Sequence, residues 1–184
     1  MIRAGQVGKR ATCDLPELAK LCLNCDAPDD TEWDEKGRTM INYIFVNFDR
    51  IIRSIQFGYL EDGALVMSEM FGPPKEEGPY SSNQFVSVIL GQDDYVTGLS
   101  GELGVSEGIR NLTFHTNRGN HGPIGVWEES YTRGSKINIV TGISDRREFG
   151  GFFGSHNTNC LSSIGIYASP IASSNTDGVQ RENI

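Results

Sequence analysis

Apolar and polar positions alternate along most of the chain in short runs, and a helical period is rare. Residues 42–48, 52–59, 64–71, 84–90, 95–99, 109–116, 125–128, 136–141 and 161–168 are rich in Val, Ile, Phe or Tyr, and Gly, Pro, Asn or Asp bounds them. Alternation at period two, broken by turn residues, predicts strands. So many short strands with turns between them predict an all-β barrel, sandwich or prism of antiparallel sheets. One helical exception is expected near the front. Asp14 can cap it, Pro16 suits its first turn, and Glu17 to Leu23 are good helix formers. This short helix is expected within a loop between Lys9 and Trp33.

A repeat lies inside this pattern. Ile52-Arg53-Ser54-Ile55-Gln56-Phe57 reads apolar, x, x, apolar, x, apolar; Ile109 to Phe114 repeats it, and so does Leu161 to Ile166. Regular recurrence signals similar structural units, here three sheets of about four strands each. The third copy runs out of chain soon after Tyr167. Gly5-Gln6-Val7-Gly8 has the same G-x-x-G shape as Gly122-Pro123-Ile124-Gly125 after the second copy. The N-terminal strand is therefore expected to complete the third sheet.

Composition narrows the function classes. The 184 residues include 22 glycines, well above the roughly 7% typical of globular chains, which suits many tight turns. Lys plus Arg number 16 against 24 Asp plus Glu, a net charge of −8. That balance argues against nucleic acid as a partner, since coating it needs basic surface. No apolar run approaches the ~20 residues of a membrane-spanning helix, so no membrane partner is expected. The start lacks the apolar core of a signal peptide, so the expected location is cytoplasmic or nucleocytoplasmic, with the four cysteines as thiols. Residues 171–184 are polar and expected to be a disordered tail.

The chain carries little catalytic chemistry. G-x-S-x-G, H-E-x-x-H and P-loop spacings are absent from the sequence. Glu128 and Glu129 are adjacent on an expected strand and point to opposite faces, which excludes an acid/base pair. Cys22 and Cys25 form a C-x-x-C with Cys13 upstream; inert thiols, a metal site completed by Cys160, His121 or His156, and a redox pair are the three readings. Trp33 and Trp127 read as core, or as platforms for a sugar ring. The acidic cluster Asp29, Asp30, Glu32, Asp34 and Glu35 reads as a solvated loop. Neither an enzyme nor a cofactor is expected.

Several ordered segments carry a family resemblance. Trp33-Asp34-Glu35, Asp94 to Gly101, Arg110 to Arg118 followed by Gly122-Pro123-Ile124-Gly125, and Phe149 to Gly154 followed by Leu161 to Tyr167 resemble motifs of the jacalin-related lectins, in order. The resemblance covers residues 1–9 and 32–170. It implies a β-prism of three four-stranded Greek-key sheets with pseudo-three-fold symmetry. It also implies one domain over residues 1–170, with residues 13–31 as an insertion.

The resemblance further implies non-catalytic binding of a mannose-type or related glycan at one end of the prism. In the family, a Gly-rich loop offers backbone N–H groups and a closing G-x-x-x-D loop offers a carboxylate that accepts from sugar hydroxyls. Here the Gly falls at Thr158 and the Asp at Ser162, and residues 22–32 replace the Gly-rich loop. The expected carbohydrate-binding residues are Gly154, Asn157, Thr158, Asn159 and Ser162, making a weakened site. Family members in plant antiviral restriction are similar in this loop. The alternative reading is therefore a plant-defence protein-interaction module with a decayed sugar site, with protein partners or a homo-oligomer.

Overall fold

The computed structural model describes residues 1–8, 30–74, 84–103, 108–125 and 135–171. The expected helix, most of the 13–31 insertion, the C-x-x-C, Trp127, Glu128, Glu129 and nearly all of the tail lie outside the described residues.

Among the described residues, twelve strands form three antiparallel sheets. The first sheet has β3 (Ile41–Phe48), β4 (Ile52–Glu61), β5 (Ala64–Met67) and β6 (Gln84–Ile89) in spatial order β5-β4-β3-β6. The second has β7 (Val96–Leu103), β8 (Ile109–Thr116), β9 (Gly119–Gly125) and β10 (Ser135–Val140) in order β10-β7-β8-β9. The third joins both ends of the described chain: β1 (Ile2–Gly8), β12 (Leu161–Ala168), β11 (Phe149–His156) and β2 (Thr31–Asp34), in order β1-β12-β11-β2. In each sheet the strand before the repeat pairs with the repeat strand, the Greek-key order. In the third sheet β1 pairs with β12, as the G-x-x-G likeness predicts, and β2 takes the place beside β11.

The repeat is the symmetry element. Ile52, Ile55 and Phe57, Ile109, Leu112 and Phe114, and Leu161, Ile164 and Ile166 are all buried at 1% exposure or less. Alternation turns these side chains inward from each sheet. Phe57 stacks on Phe152 at 4.9 Å between ring centroids, and Phe114 meets Phe152 edge-on at 6.0 Å, so aromatic rings from all three sheets meet in one core. Trp33 belongs to it, 7% exposed and stacked on Phe71 at 4.3 Å.

Each repeat also carries a bulge at its second residue. The registers skip Arg53 between Phe48↔Ile52 and Asn47↔Ser54, Arg110 between Leu103↔Ile109 and Glu102↔Asn111, and Ser162 between His156↔Leu161 and Ser155↔Ser163. A bulge bends and twists its strand, which curves each sheet toward the shared core. A glycine backs each bulge. Gly72, Gly125 and Gly8, at φ +119°, +119° and +94°, press against the carbonyl oxygens of Arg53, Arg110 and Ser162. A Cβ there would overlap those oxygens.

Three details depart from the sequence reading. β11 forms from Phe149 to His156, where the pattern marks no strand, because Phe149-Gly150-Gly151-Phe152-Phe153 lacks alternation; it is buried throughout. β9 starts at Gly119, inside residues rich in turn formers. β5 stops at Met67, and Phe71 returns only as an isolated bridge to Ile55.

Candidate functional site

The end of the prism where Gly8, Thr31, His156 and Leu161 come together is built by the third sheet. Between β11 and β12 the chain turns through residues 157–160. Asn157 organises that turn: its Oδ1 accepts from the backbone N–H of Asn159 (2.8 Å) and Cys160 (3.0 Å), and its own N–H donates to the Cys160 carbonyl at 3.0 Å. This is the local capping that suits Asn to turns.

The centre of this end is Asp30, only 5% exposed. Ser162 Oγ donates to Asp30 Oδ1 at 2.7 Å, Asn157 Nδ2 donates to the same oxygen at 3.1 Å, and Ser155 Oγ donates to Oδ2 at 3.4 Å. Asn157 Nδ2 also lies 3.2 Å from Ser162 Oγ, and Ser155 and Ser163 hydroxyls are 2.8 Å apart. A buried carboxylate needs such donors, because burial without them is costly. Asp30 is thus a buried hub, not part of a solvated acidic loop. Its neighbours Glu32 and Asp34 stand on β2, where Asp34 Oδ2 accepts from the Tyr167 hydroxyl at 2.7 Å.

The expected sugar-site residues separate into three groups. Asn157 and Ser162 point inward and spend their polar atoms on Asp30 and the turn, Ser162 being 6% exposed. Thr158 and Asn159 are exposed at the tip of the turn. Gly154 is not in the loop. It sits in mid-β11 opposite Trp33, where a Cβ would strike the indole, and it lines a cavity of about 230 Å³ beside Arg3, Glu32 and Phe153. Arg3 lays its guanidinium over the Phe153 ring at 4.3 Å there.

Two residues that the sequence pattern does not single out also hold this end. Asp30 is hidden in the sequence by its acidic neighbours. Arg53, the bulge residue of the first sheet, donates from Nη1 to the Asn159 carbonyl at 2.8 Å while its Nη2 pairs with Asp49 at 2.6 Å. Cys160 is a buried free thiol, and burial pushes its pKa up. Among the described residues no three His, Cys, Asp or Glu side chains cluster as metal ligands.

The chain as a whole is similar to known proteins. The jacalin-like lectin domain profile matches residues 27–167. Jacalin-related lectin 24 of Arabidopsis thaliana is 45% identical over 147 residues, which are 77% of this chain and 62% of that protein. Jacalin-related lectin 25 of the same plant is 40% identical over 76% of this chain and 54% of its own length, so the chain spans little more than half of these longer relatives. Protein RESTRICTED TEV MOVEMENT 1 of Arabidopsis thaliana is 35% identical, with 75% of this chain and 77% of that protein covered. Among solved structures, wild-type Malaysian banana lectin overlays with a TM-score of 0.63 at 20% identity, covering 92% of this chain and 99% of its own. The artocarpin–mannotriose complex overlays at 0.58 with 25% identity, covering 76% and 90%. The three Greek-key sheets, the repeat and the matched profile together make this chain a member of the jacalin-like lectin family.

Proposed function

We propose that this chain is a non-catalytic glycan-binding domain that takes mannose-type sugars weakly at the prism end around residues 157–162. The observation that carries the reading is the carboxylate of Asp30 within 2.7 Å of Ser162 Oγ, because the family resemblance locates a sugar-accepting Asp at that position. Exposed Thr158 and Asn159 flank it and offer further hydrogen bonds. The likeness to artocarpin, which was solved with mannotriose, supports the ligand class. Affinity is expected to be low, since a sugar hydroxyl must displace donors that Asp30 already holds. The location that goes with this reading is cytoplasmic or nucleocytoplasmic. A glycan array followed by calorimetry with methyl α-mannoside tests the reading. Binding competed by free mannose supports it, and silence across all glycans overturns it.

A second reading has its own support: a protein-interaction module of plant defence, working through a protein partner or a second copy. Asp30 at 5% exposure, already bound by Ser155, Asn157 and Ser162, is what a sugar site turned to structural use looks like. The 35% identity to Protein RESTRICTED TEV MOVEMENT 1 points the same way. Glycan silence combined with a folded, cooperative melt favours this reading.

A further inference from the structure

The three outward sheet faces are an internal comparison, because the repeats fix equivalent positions. Gln56, Thr113 and Gly165 occupy the same place in the three repeats, and their cross-strand partners are Phe45, Ser100 and Phe153. On two faces the centre is thus a phenylalanine. Phe45 stacks between Tyr43 and Phe85, each at 5.7 Å, and Phe153 lies under Arg3. On the second sheet the centre is Ser100 beside Thr113. The cavities follow: about 130 Å³ and 230 Å³ on the phenylalanine faces, against about 620 Å³ on the serine face. The last volume falls in the range of small-ligand sites.

Register gives this dish its chemistry. Cross-strand neighbours Ser100 and Asn138 share its middle, and Lys136, Glu102 and Asn111 follow one another across β10, β7 and β8 at one rim. At the opposite rim His115 lies between Ser100 (Oγ to Nε2, 2.8 Å) and Asn120 (Oδ1 to Nδ1, 2.7 Å). An amide oxygen only accepts, so His115 Nδ1 carries a proton toward Asn120, and Nε2 shares a hydrogen bond with the Ser100 hydroxyl. A hydroxyl has one donor and two acceptor sites, so with one of them engaged by His115, Ser100 keeps hydrogen-bonding capacity for a ligand. Asn111 donates to Glu102 at 3.3 Å, which holds that carboxylate as a further acceptor. Pro123 and Ile137 add apolar wall. Glu102 and Lys136 are opposite in sign and cross-strand partners, so together they give the rim no net charge.

We infer that the outer face of the second sheet, centred on Ser100, Thr113 and His115, is a second glycan-binding site for a neutral sugar ring, separate from the prism end. Small hydrophilic floor residues, a rim of carboxamide, carboxylate and hydroxyl groups, and apolar walls match a ring with alternating hydroxyls and C–H surface. The choice of sugar as the ligand class rests on the glycan-binding reading; the site itself rests on the face geometry. Two sites on one chain would let it bridge two branches or two chains of a glycan, with avidity beyond either site alone.

The test is amide NMR of the full ¹⁵N-labelled chain titrated with methyl α-mannoside, methyl β-galactoside and methyl β-glucoside. With at least one sugar, shifts centred on residues 98–102, 111–115 and 136–138 are expected. Ser100→Phe, which puts on this face the side chain of the other two, should weaken that response at least tenfold. Asn138→Trp on the exposed edge strand should do the same, and it guards against a folding defect in the first variant. Shifts confined to residues 157–162 would overturn the face site while leaving the prism-end reading standing. Shifts at the face alone would support it and count against the prism end. No shifts with any of the three sugars at saturating concentration would overturn both.

Discussion

Ser162 Oγ donates to Asp30 Oδ1 at 2.7 Å across 132 positions of sequence, and it ties the start of β2 to the bulge of β12. The bond joins the two segments that frame the prism end. It makes Ser162 part of a buried polar knot beneath the exposed Thr158 and Asn159.

Removing the acceptor tests this knot. Asp30→Ala strands the buried hydroxyl of Ser162 and takes a partner from Ser155 and Asn157. Hydrogen bonds to a charged group contribute about 1.5–3 kcal/mol each, and unmet buried donors add a cost. A net loss of about 2–3 kcal/mol is expected, or roughly 5–10 °C in Tm for a domain of this size. Thermal melts followed by circular dichroism would measure it. An unchanged Tm would mean that the knot contributes nothing.

The repeat makes a sharper claim about the core. Ile55, Leu112 and Ile164 occupy one position three times over, each at 1% exposure or less. Each→Ala should cost about 2–5 kcal/mol. Each→Asp should unfold the domain, because a lone buried carboxylate has no partner there. Urea titration of the three Ala variants should give similar losses; one near-neutral variant would break the equivalence.

The bulges are backed by glycine, and that backing is also testable. Gly8→Ala, Gly72→Ala and Gly125→Ala each force a side chain into positive φ and against a carbonyl oxygen. Strained backbone of this kind costs about 1–3 kcal/mol before the overlap is relieved. Gly63→Ala, at φ +79° with open space around it, supplies the control for strain without overlap. Its loss should be smaller than the other three.

Much of this is written in local pattern. The nine apolar positions of the repeat specify which faces turn inward, since alternation needs only neighbours. The N-terminal strand is legible because Gly5 to Gly8 echoes Gly122 to Gly125. β11 is not legible: Phe149-Gly150-Gly151-Phe152-Phe153 has no period of two, and the pairing with β12 and β2 that makes it a strand is non-local. Asp30 is hidden for the same reason. Among five acidic residues nothing local distinguishes the one that meets Ser155, Asn157 and Ser162 across the fold. The open face at Ser100 needs the register of three sheets before its difference from Phe45 and Phe153 has meaning.

Acid should loosen the link between the first sheet and the prism-end turn. Burial raises the pKa of the Asp49 carboxyl, but hydrogen bonds from Arg53 and from the Ile51 backbone outweigh it and hold the pKa below 3.8. The folded value is thus the lower one, so the stabilisation is present above the unfolded pKa and is lost as pH falls through the folded one. The stability gap between the wild type and Asp49→Asn should be constant above about pH 5 and close below about pH 3. Chemical denaturation across that window reads it. A gap that widens on acidification would give the pair the wrong sign.

Restoring the family's carboxylate is the most informative change to the prism end. By sequence alone, Ser162→Asp returns the missing sugar acceptor. In this structure it sets a second carboxylate where Ser162 Oγ now lies, 2.7 Å from Asp30 Oδ1. Two carboxylates so close cannot both stay ionised, and one is driven to hold a proton. The single variant should therefore lose stability at neutral pH and gain little affinity. Its stability deficit should shrink as pH falls, because the group with the raised folded pKa takes up its proton there. Asp30→Asn with Ser162→Asp removes the repulsion, and an Asn amide can donate to the new carboxylate. That double variant should recover stability and bind methyl α-mannoside more tightly than the wild type, by about tenfold for each 1.4 kcal/mol regained. Calorimetry and thermal melts on the three proteins would decide. If Ser162→Asp alone were as stable as the wild type and bound sugar as well as the double variant, Asp30 would not be the group that closes this site.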